Sequence, residues 1–219
     1  MSAPGDAQLT WRLTDDAAAV HALHCRVLEG APTGMVRPDP LSHFVRHATD
    51  RGRIAGCYTG AGELVAYGVL GMESPTVGHL AELLGAERRR FAVLDGAATL
   101  PAWRGHHLHV AAVDERVHYA GEAGRTLLAA TVSPLNVRSL RSLFHAGFEV
   151  RLFAVLYGGL DRLVVQRDTT LATGGWLRER SVDLADVAAH RAALDDGLAG
   201  YACERSDSGA WVIAYGRRA

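Results

Sequence analysis

The sequence predicts an α/β protein organised around one mixed sheet, and three observations carry that reading. Apolar runs of strand length alternate with amphipathic helical stretches, and glycine clusters at Gly60-Ala61-Gly62 and Gly158-Gly159 punctuate two hairpins. Between Phe91 and Val132 the chain runs strand, turn, helix, strand, the crossover that makes two strands parallel.

Leu9 to Leu13 is a short first strand, and Thr14-Asp15-Asp16 caps a helix with Val20, Leu23 and Val27 on one face. Gly30 to Pro40 contains Pro32, Gly34, Pro38 and Pro40, too many breakers for a regular element, and such loops often border substrate sites. A helical turn with Leu41, Phe44 and Val45 follows. Arg53 to Tyr58 and Glu63 to Met72 form an antiparallel hairpin, and Val77, Leu80, Ala81 and Leu84 mark a helix face ended by Gly85. Phe91 to Ala98, a helix carrying Val110, Val113, Val117 and Ala120, and Thr126 to Val132 make the crossover. Asn136 to Phe144 is a helix stopped by Gly147, and Glu149 to Tyr157 pairs with Leu160 to Gln166. After Arg167 a Thr- and Gly-rich stretch to Gly175 reads as a linker. Beyond it, Asp183 to Leu198 is amphipathic, and Tyr201 to Arg205 with Ala210 to Tyr215 make a last hairpin. The expected division is a principal domain over 1–168 and a helix-hairpin extension over 169–219 packed on it.

With 219 residues, 48% of them hydrophobic, the chain can bury one full core. A net charge of −1 supplies no long-range field for nucleic acid or anionic lipid, so a charged partner needs a local site. All 23 basic residues are arginine, which excludes a Schiff-base mechanism and a lysine-dependent phosphate loop. Cys25, Cys57 and Cys203 are odd in number and lack metal or disulfide spacing, which suits a reducing cytoplasm. Met1 to Gln8 lacks the basic-then-apolar order of a secretion signal, and no apolar run reaches membrane-spanning length.

The most informative stretch is Pro101-Ala102-Trp103-Arg104-Gly105-His106-His107-Leu108, where the strand from Phe91 turns into a helix. Amide N–H groups at a helix start have no intrahelical partner, and with the helix dipole they favour a phosphate or diphosphate. Together with Ser133-Pro134-Leu135-Asn136-Val137-Arg138-Ser139 through Ala146-Gly147-Phe148, this stretch resembles the GCN5-related N-acetyltransferase superfamily over about three quarters of the chain. Its loop pattern falls on Ala102, Gly105 and His107, the last a bulky residue where Gly or Ala is usual, and the position often held by a general-acid tyrosine is Leu143.

The resemblance implies that the fourth and fifth strands splay apart around the pantetheine arm of acetyl-CoA or another acyl-CoA. It implies that Ala98, Thr99 and Leu100 meet the arm, that Arg104, Gly105, His106, His107, Leu108 and His109 cradle the diphosphate, and that Asn136 and Ser139 border it. The expected activity is N-acyl transfer to a small-molecule amine by direct attack. Asp95, on the fourth strand, is a candidate base where desolvation raises its pKa, or else a solvent-facing strand residue or a structural hydrogen-bond acceptor; Glu73, at the end of the third strand, is a comparable candidate, and either could equally bind an ammonium. Tyr157, at a hairpin end, is a candidate acid or a packing residue with a wet hydroxyl. His106, His107 and His109 point different ways from a helix start and lack a completing carboxylate or thiol, so no metal is expected. Arg88-Arg89-Arg90 reads as a solvated edge and Asp195-Asp196 as a solvated helix end. The rival readings are an acyl-carrier protein or aminoacyl-tRNA donor on the same fold, a non-catalytic acyl-CoA-binding module, and a dinucleotide-dependent oxidoreductase, whose Gly-x-Gly-x-x-Gly is broken by His107. A homodimer is left open.

Overall fold

The computed structural model describes residues 8–49 and 51–219; the N-terminal segment read above as no secretion signal lies almost wholly outside the described residues. The chain folds into a ten-stranded mixed sheet in the order β1-β2-β3-β4-β5-β7-β6-β9-β10-β8. The strands are β1 (Leu9–Leu13), β2 (Gly52–Thr59), β3 (Leu64–Gly71), β4 (Phe91–Thr99), β5 (Leu127–Val132), β6 (Glu149–Leu156), β7 (Leu160–Asp168), β8 (Trp176–Asp183), β9 (Ala199–Arg205) and β10 (Trp211–Arg218). The helices are α1 (Ala17–Leu28), α2 (Leu41–His47), α3 (Pro75–Leu83), α4 (Leu108–Glu122), α5 (Val137–His145) and α6 (Val187–Asp195). No helix is long and apolar enough to cross a membrane among the described residues.

Local chemistry sets several boundaries. Asp16 Oδ1 accepts from the Ala19 amide at 2.9 Å and opens α1, and Asn136 Oδ1 accepts from the Ser139 amide at 3.2 Å and opens α5. Strand alternation separates two faces of the central sheet. Ala92, Leu94, Leu128 and Ala130 pack with α4 and α5 residues on one face, while Phe91, Val93, Ala129 and Val164 pack with Val77 and Leu80 of α3 on the other.

Two features open the middle of the sheet. β4 and β5 are parallel, but they pair only through Phe91 to Val93 against Leu127 to Ala129, and beyond this both strands run on unpaired with each other. In the same region β4 bulges: Gly68 faces Ala97 and Leu70 faces Leu94, so Val69 opposes two residues, Asp95 and Gly96. Gly96 takes a φ of +120°, a backbone state that side chains other than hydrogen disfavour. Arg116 of α4 braces the bulge, donating from Nη1 to Gly96 O at 3.1 Å and from Nε to Ala112 O at 2.6 Å. A Cβ on Gly68 would stand 2.8 Å from Arg116 Nε, so that glycine makes room for the guanidinium.

The C-terminal region keeps the expected linker, helix and last hairpin but adds a strand and shortens the helix. It begins with a strand, β8, and the helix is confined to Val187–Asp195. β8 is an edge strand exposed along nearly its whole length, Trp-Leu-Arg-Glu-Arg-Ser, and therefore carries no alternating apolar signal. It runs parallel to β9 with β10 between them, and Val182, Leu198, Ile213 and Tyr215 share one core cluster with Leu128 and Phe148.

Candidate active site

A cleft of about 1630 Å³ occupies the wedge between β4 and β5. Its walls include Leu94 to Thr99 of β4 and Ala130 to Val132 of β5, the positions at which these strands have lost each other. Strand N–H and C=O groups left without a neighbouring strand can pair with an extended amide-bearing ligand. On the α4 face the cleft reaches the start of that helix, where Gly105 has a φ of +89° and His107 a φ of 55°. His107, the residue preceding α4, is exposed and lines the cleft, and its backbone takes the left-handed path usual for glycine with an imidazole attached. We expect His107→Gly to raise stability by about 0.5–1 kcal/mol and His107→Val to lower it by about 1–2 kcal/mol, read as shifts of the urea midpoint.

The residues assigned to cofactor binding divide. Ala98, Thr99, Arg104, Gly105, His107, Leu108, His109, Asn136 and Ser139 all line the cleft. Leu100 is turned into the core cluster beneath α1, and the exposed His106 ring faces back to Trp103 O and Arg104 O at 3.3 and 3.2 Å. Asn136 spends its carbonyl oxygen capping α5, and Ser139 Oγ meets His109 Nε2 at 3.4 Å.

The opposite face of the wedge carries a dense ionic network. Asp95 is buried on the bulge. Arg37, from the proline-rich loop, donates from Nη2 to Asp95 Oδ1 at 3.0 Å and from Nε to Asp39 Oδ1 at 2.5 Å. His43 Nε2 meets Asp95 O at 3.2 Å, and His47 Nδ1 donates to His43 O at 2.8 Å. That bond directs His47 Nε2 at Asp95 Oδ2, 3.4 Å away, and neither atom has another partner among the described residues. His24 Nε2 accepts from the Asp39 amide at 3.1 Å while its Nδ1 meets Tyr67 Oη at 2.8 Å.

Burial pushes the Asp95 carboxyl upward, but His47, Arg37 and His43 more than offset it and hold its pKa below the ordinary carboxylate range. Desolvation alone therefore does not make Asp95 a strong base: both oxygens face cationic or basic groups. Glu73 lies away from the cleft on the surface, with Arg125 Nη2 3.8 Å from its carboxylate. Tyr157 does line the cleft. Its hydroxyl meets Thr131 Oγ1 at 3.0 Å, its ring covers the Arg37 guanidinium at 4.5 Å, and burial raises its pKa.

His43, His47 and Asp95 bring ligand atoms within 4.8 Å of one another. Arg37 already occupies one carboxylate oxygen and both His43 nitrogens face protein oxygens, so only His47 Nε2 and Asp95 Oδ2 stand free and the grouping reads as an ion-pair network. Sequence reading had flagged the loop that carries Arg37 and Asp39 but neither residue, and it passed over His43, His47, Arg116 and Arg162. The i, i+4 histidines of α2 were a visible signal; the rest depend on contacts across the sheet.

Burial lowers the pKa of His24, His43 and His190, and burial with the charge of Arg116 brings His109 to about 4. The unfolded chain takes up these protons near pH 6.5 and the folded protein only at lower pH, so stability should fall as pH drops below about 6.5. Each such histidine adds up to about 1.4 kcal/mol per pH unit within its window, measurable as urea midpoints between pH 7.5 and 4.5.

With its bulged strand and its parallel pair that opens into a wedge, the chain has the fold of solved GCN5-related N-acetyltransferases. Solved structures similar to it include an N-acetyltransferase from Staphylococcus aureus Mu50, with a TM-score of 0.57 and 14% identity over 74% of this chain and 99% of that one. The yncA protein of Salmonella typhimurium, solved with its cofactor acetyl-CoA, gives a TM-score of 0.57 and 17% identity over 76% and 97%. A GCN5-related N-acetyltransferase from Kribbella flavida gives 0.55 and 16% over 73% and 97%. At such identities the likeness is one of fold. No protein-family model matches the sequence, and no curated protein matches it.

Proposed function

We propose that the protein is an N-acyltransferase that moves an acyl group, acetyl in the first instance, from acyl-CoA to a small amine. The observation that carries this reading is the wedge itself: two parallel strands release each other after three paired residues beside a helix start able to take a diphosphate. An acyl-CoA arm would lie along the freed edge of β4, with its diphosphate on the amides from Gly105 to His109.

The neutral amine nitrogen attacks the thioester carbonyl, the C–N bond forms as the C–S bond breaks, the proton lost from nitrogen passes to water in the open cleft, and the departing thiolate takes a proton from a donor beside it. Asp95, held ionised by Arg37, contributes negative charge near the incoming amine rather than serving as a strong proton acceptor. Tyr157 remains protonated across the neutral range and is the donor available for the thiolate. Backbone N–H groups at the bulge, near Ala97, are suited to polarise the carbonyl oxygen.

Thermal-shift and native mass measurements against CoA, acetyl-CoA and longer acyl-CoAs test the reading. A ligand present at 100 times its Kd should stabilise the protein by about 2.7 kcal/mol. Silence toward all of them would overturn a CoA donor and favour a carrier-protein or tRNA-borne acyl group.

A further inference from the structure

We infer that the amine acceptor carries an anionic group, a carboxylate or a phosphonate, and that Arg162 binds it. This rests on the acyltransferase reading above and names the substrate class of that site.

Arg162 lies on β7, only 3% exposed, opposite Ala154 of β6. Its one hydrogen bond is from Nη1 to the carbonyl of its neighbour Asp161, at 2.8 Å, and no carboxylate pairs with it among the described residues. Of the acids near it, Asp39 and Asp95 both hold Arg37, while the neighbouring Asp161 is exposed and forms no ion pair with it among the described residues. Burial and the charge of Arg37 draw the Arg162 pKa downward and outweigh the opposite pull of Tyr157 and Asp161. Its remaining donors are not sealed in the protein but open to the cleft that Arg162 lines, where an anion can complete them.

Its position says what that partner is. β5 ends at Val132, which pairs with Leu163, so Arg162 sits one step past the end of β5 at the mouth of the wedge. Alternation along β7 puts it on the face of Val164, and that face also holds Asp95 and Thr131 by the same count from Val93 and Ala129. The α4 helix start that would take the donor's diphosphate lies on the other face. Arg162 is therefore separated from the donor phosphates by the sheet and stands beside Tyr157 and Thr131, where the acceptor must approach. Arg is suited to bidentate recognition of a planar carboxylate or a phosphonate.

Matched acceptors test this: each common amino acid against its decarboxylated amine and its amide, and aminoethylphosphonate against ethanolamine, with free thiol as the readout. We expect the wild-type protein to prefer anion-bearing amines, with the carboxylate and phosphonate arms telling the two chemistries apart. Arg162→Gln should raise KM for them by about 10- to 100-fold, leave kcat within a few-fold, and leave neutral amines and acetyl-CoA binding unchanged. Arg162→Lys should recover part of the loss. Preference for neutral amines, or an equal loss for charged and neutral acceptors, overturns the assignment. Where turnover is too slow to follow, calorimetric binding of the same pairs in the presence of CoA decides it by the same comparison. Failure of acetyl-CoA itself to bind would instead sink the acyl-CoA reading while those titrations still report on Arg162.

Discussion

Arg37→Met should cost about 3–5 kcal/mol of folding stability, because it leaves the Asp95 carboxylate buried at 4% exposure without its guanidinium and strips Asp39 as well. The methionine keeps most of the side-chain volume, so packing contributes little to the loss. At roughly 2–4 °C per kcal/mol for a chain of this size, the melting temperature should drop by about 10 °C. Adding Asp95→Asn to Arg37→Met should recover much of that deficit, since the uncompensated charge disappears with the second change. The sign with pH is fixed by the same pair. Above the ordinary carboxylate range the penalty is full, and it shrinks as acid protonates the stranded carboxylates. Urea midpoints for the wild type, Arg37→Met, Asp95→Asn and the double variant at pH 7 and pH 4.5 measure this; a loss below about 1 kcal/mol for Arg37→Met would mean that water reaches the pair.

Much of the scaffold was legible because its signals are local. The Gly60-Ala61-Gly62 and Gly158-Gly159 turns, the Asp16 cap, the helix start at Asn136 and the crossover from Phe91 to Val132 each stand on a few consecutive residues, and each appears within two residues of its expected place. The parallel pairing of β4 and β5 followed from the crossover alone. What failed to show was tertiary. β8 has no hydrophobic period because both of its faces meet water, and the fate of Asp95 was set by Arg37, 58 residues away in a loop that propensity could only describe as irregular. Glu73 and Asp95 look alike in sequence, two acids near the ends of apolar strands. One is now an exposed partner of Arg125 and the other the centre of a buried network, a difference decided by the bulge at Gly96 and by what α2 lays over it. Arg162 was invisible for the same reason: within an apolar strand it reads as one outward-facing charge, and only the end of the neighbouring β5 turns that position into the lip of a cleft.

Tyr157→Phe should reduce the rate of acyl transfer by about 100-fold or more while leaving acetyl-CoA affinity unchanged, if the hydroxyl delivers the proton that the departing thiolate needs. The case begins with backbone strain. Tyr157 has a φ of 54° and is followed by Gly158 and Gly159, both also at positive φ, so a β6–β7 turn that glycine would enter freely holds a tyrosine at a cost of about 1–2 kcal/mol. That cost brings the ring over Arg37 and the hydroxyl to Thr131, on the stretch of β5 that has parted from β4, directly at the wedge. Phenylalanine keeps the ring, the strain and the contact with Arg37 and deletes only the proton, losing about 1 kcal/mol of stability through the stranded Thr131 hydroxyl. A purely structural tyrosine would show that small stability loss and a rate within threefold of the wild type. A proton donor would show the full loss in kcat at unchanged donor KM, together with disappearance of the alkaline limb of the pH-rate profile, which in the wild type should lie above the usual tyrosine range because burial raises this hydroxyl's pKa.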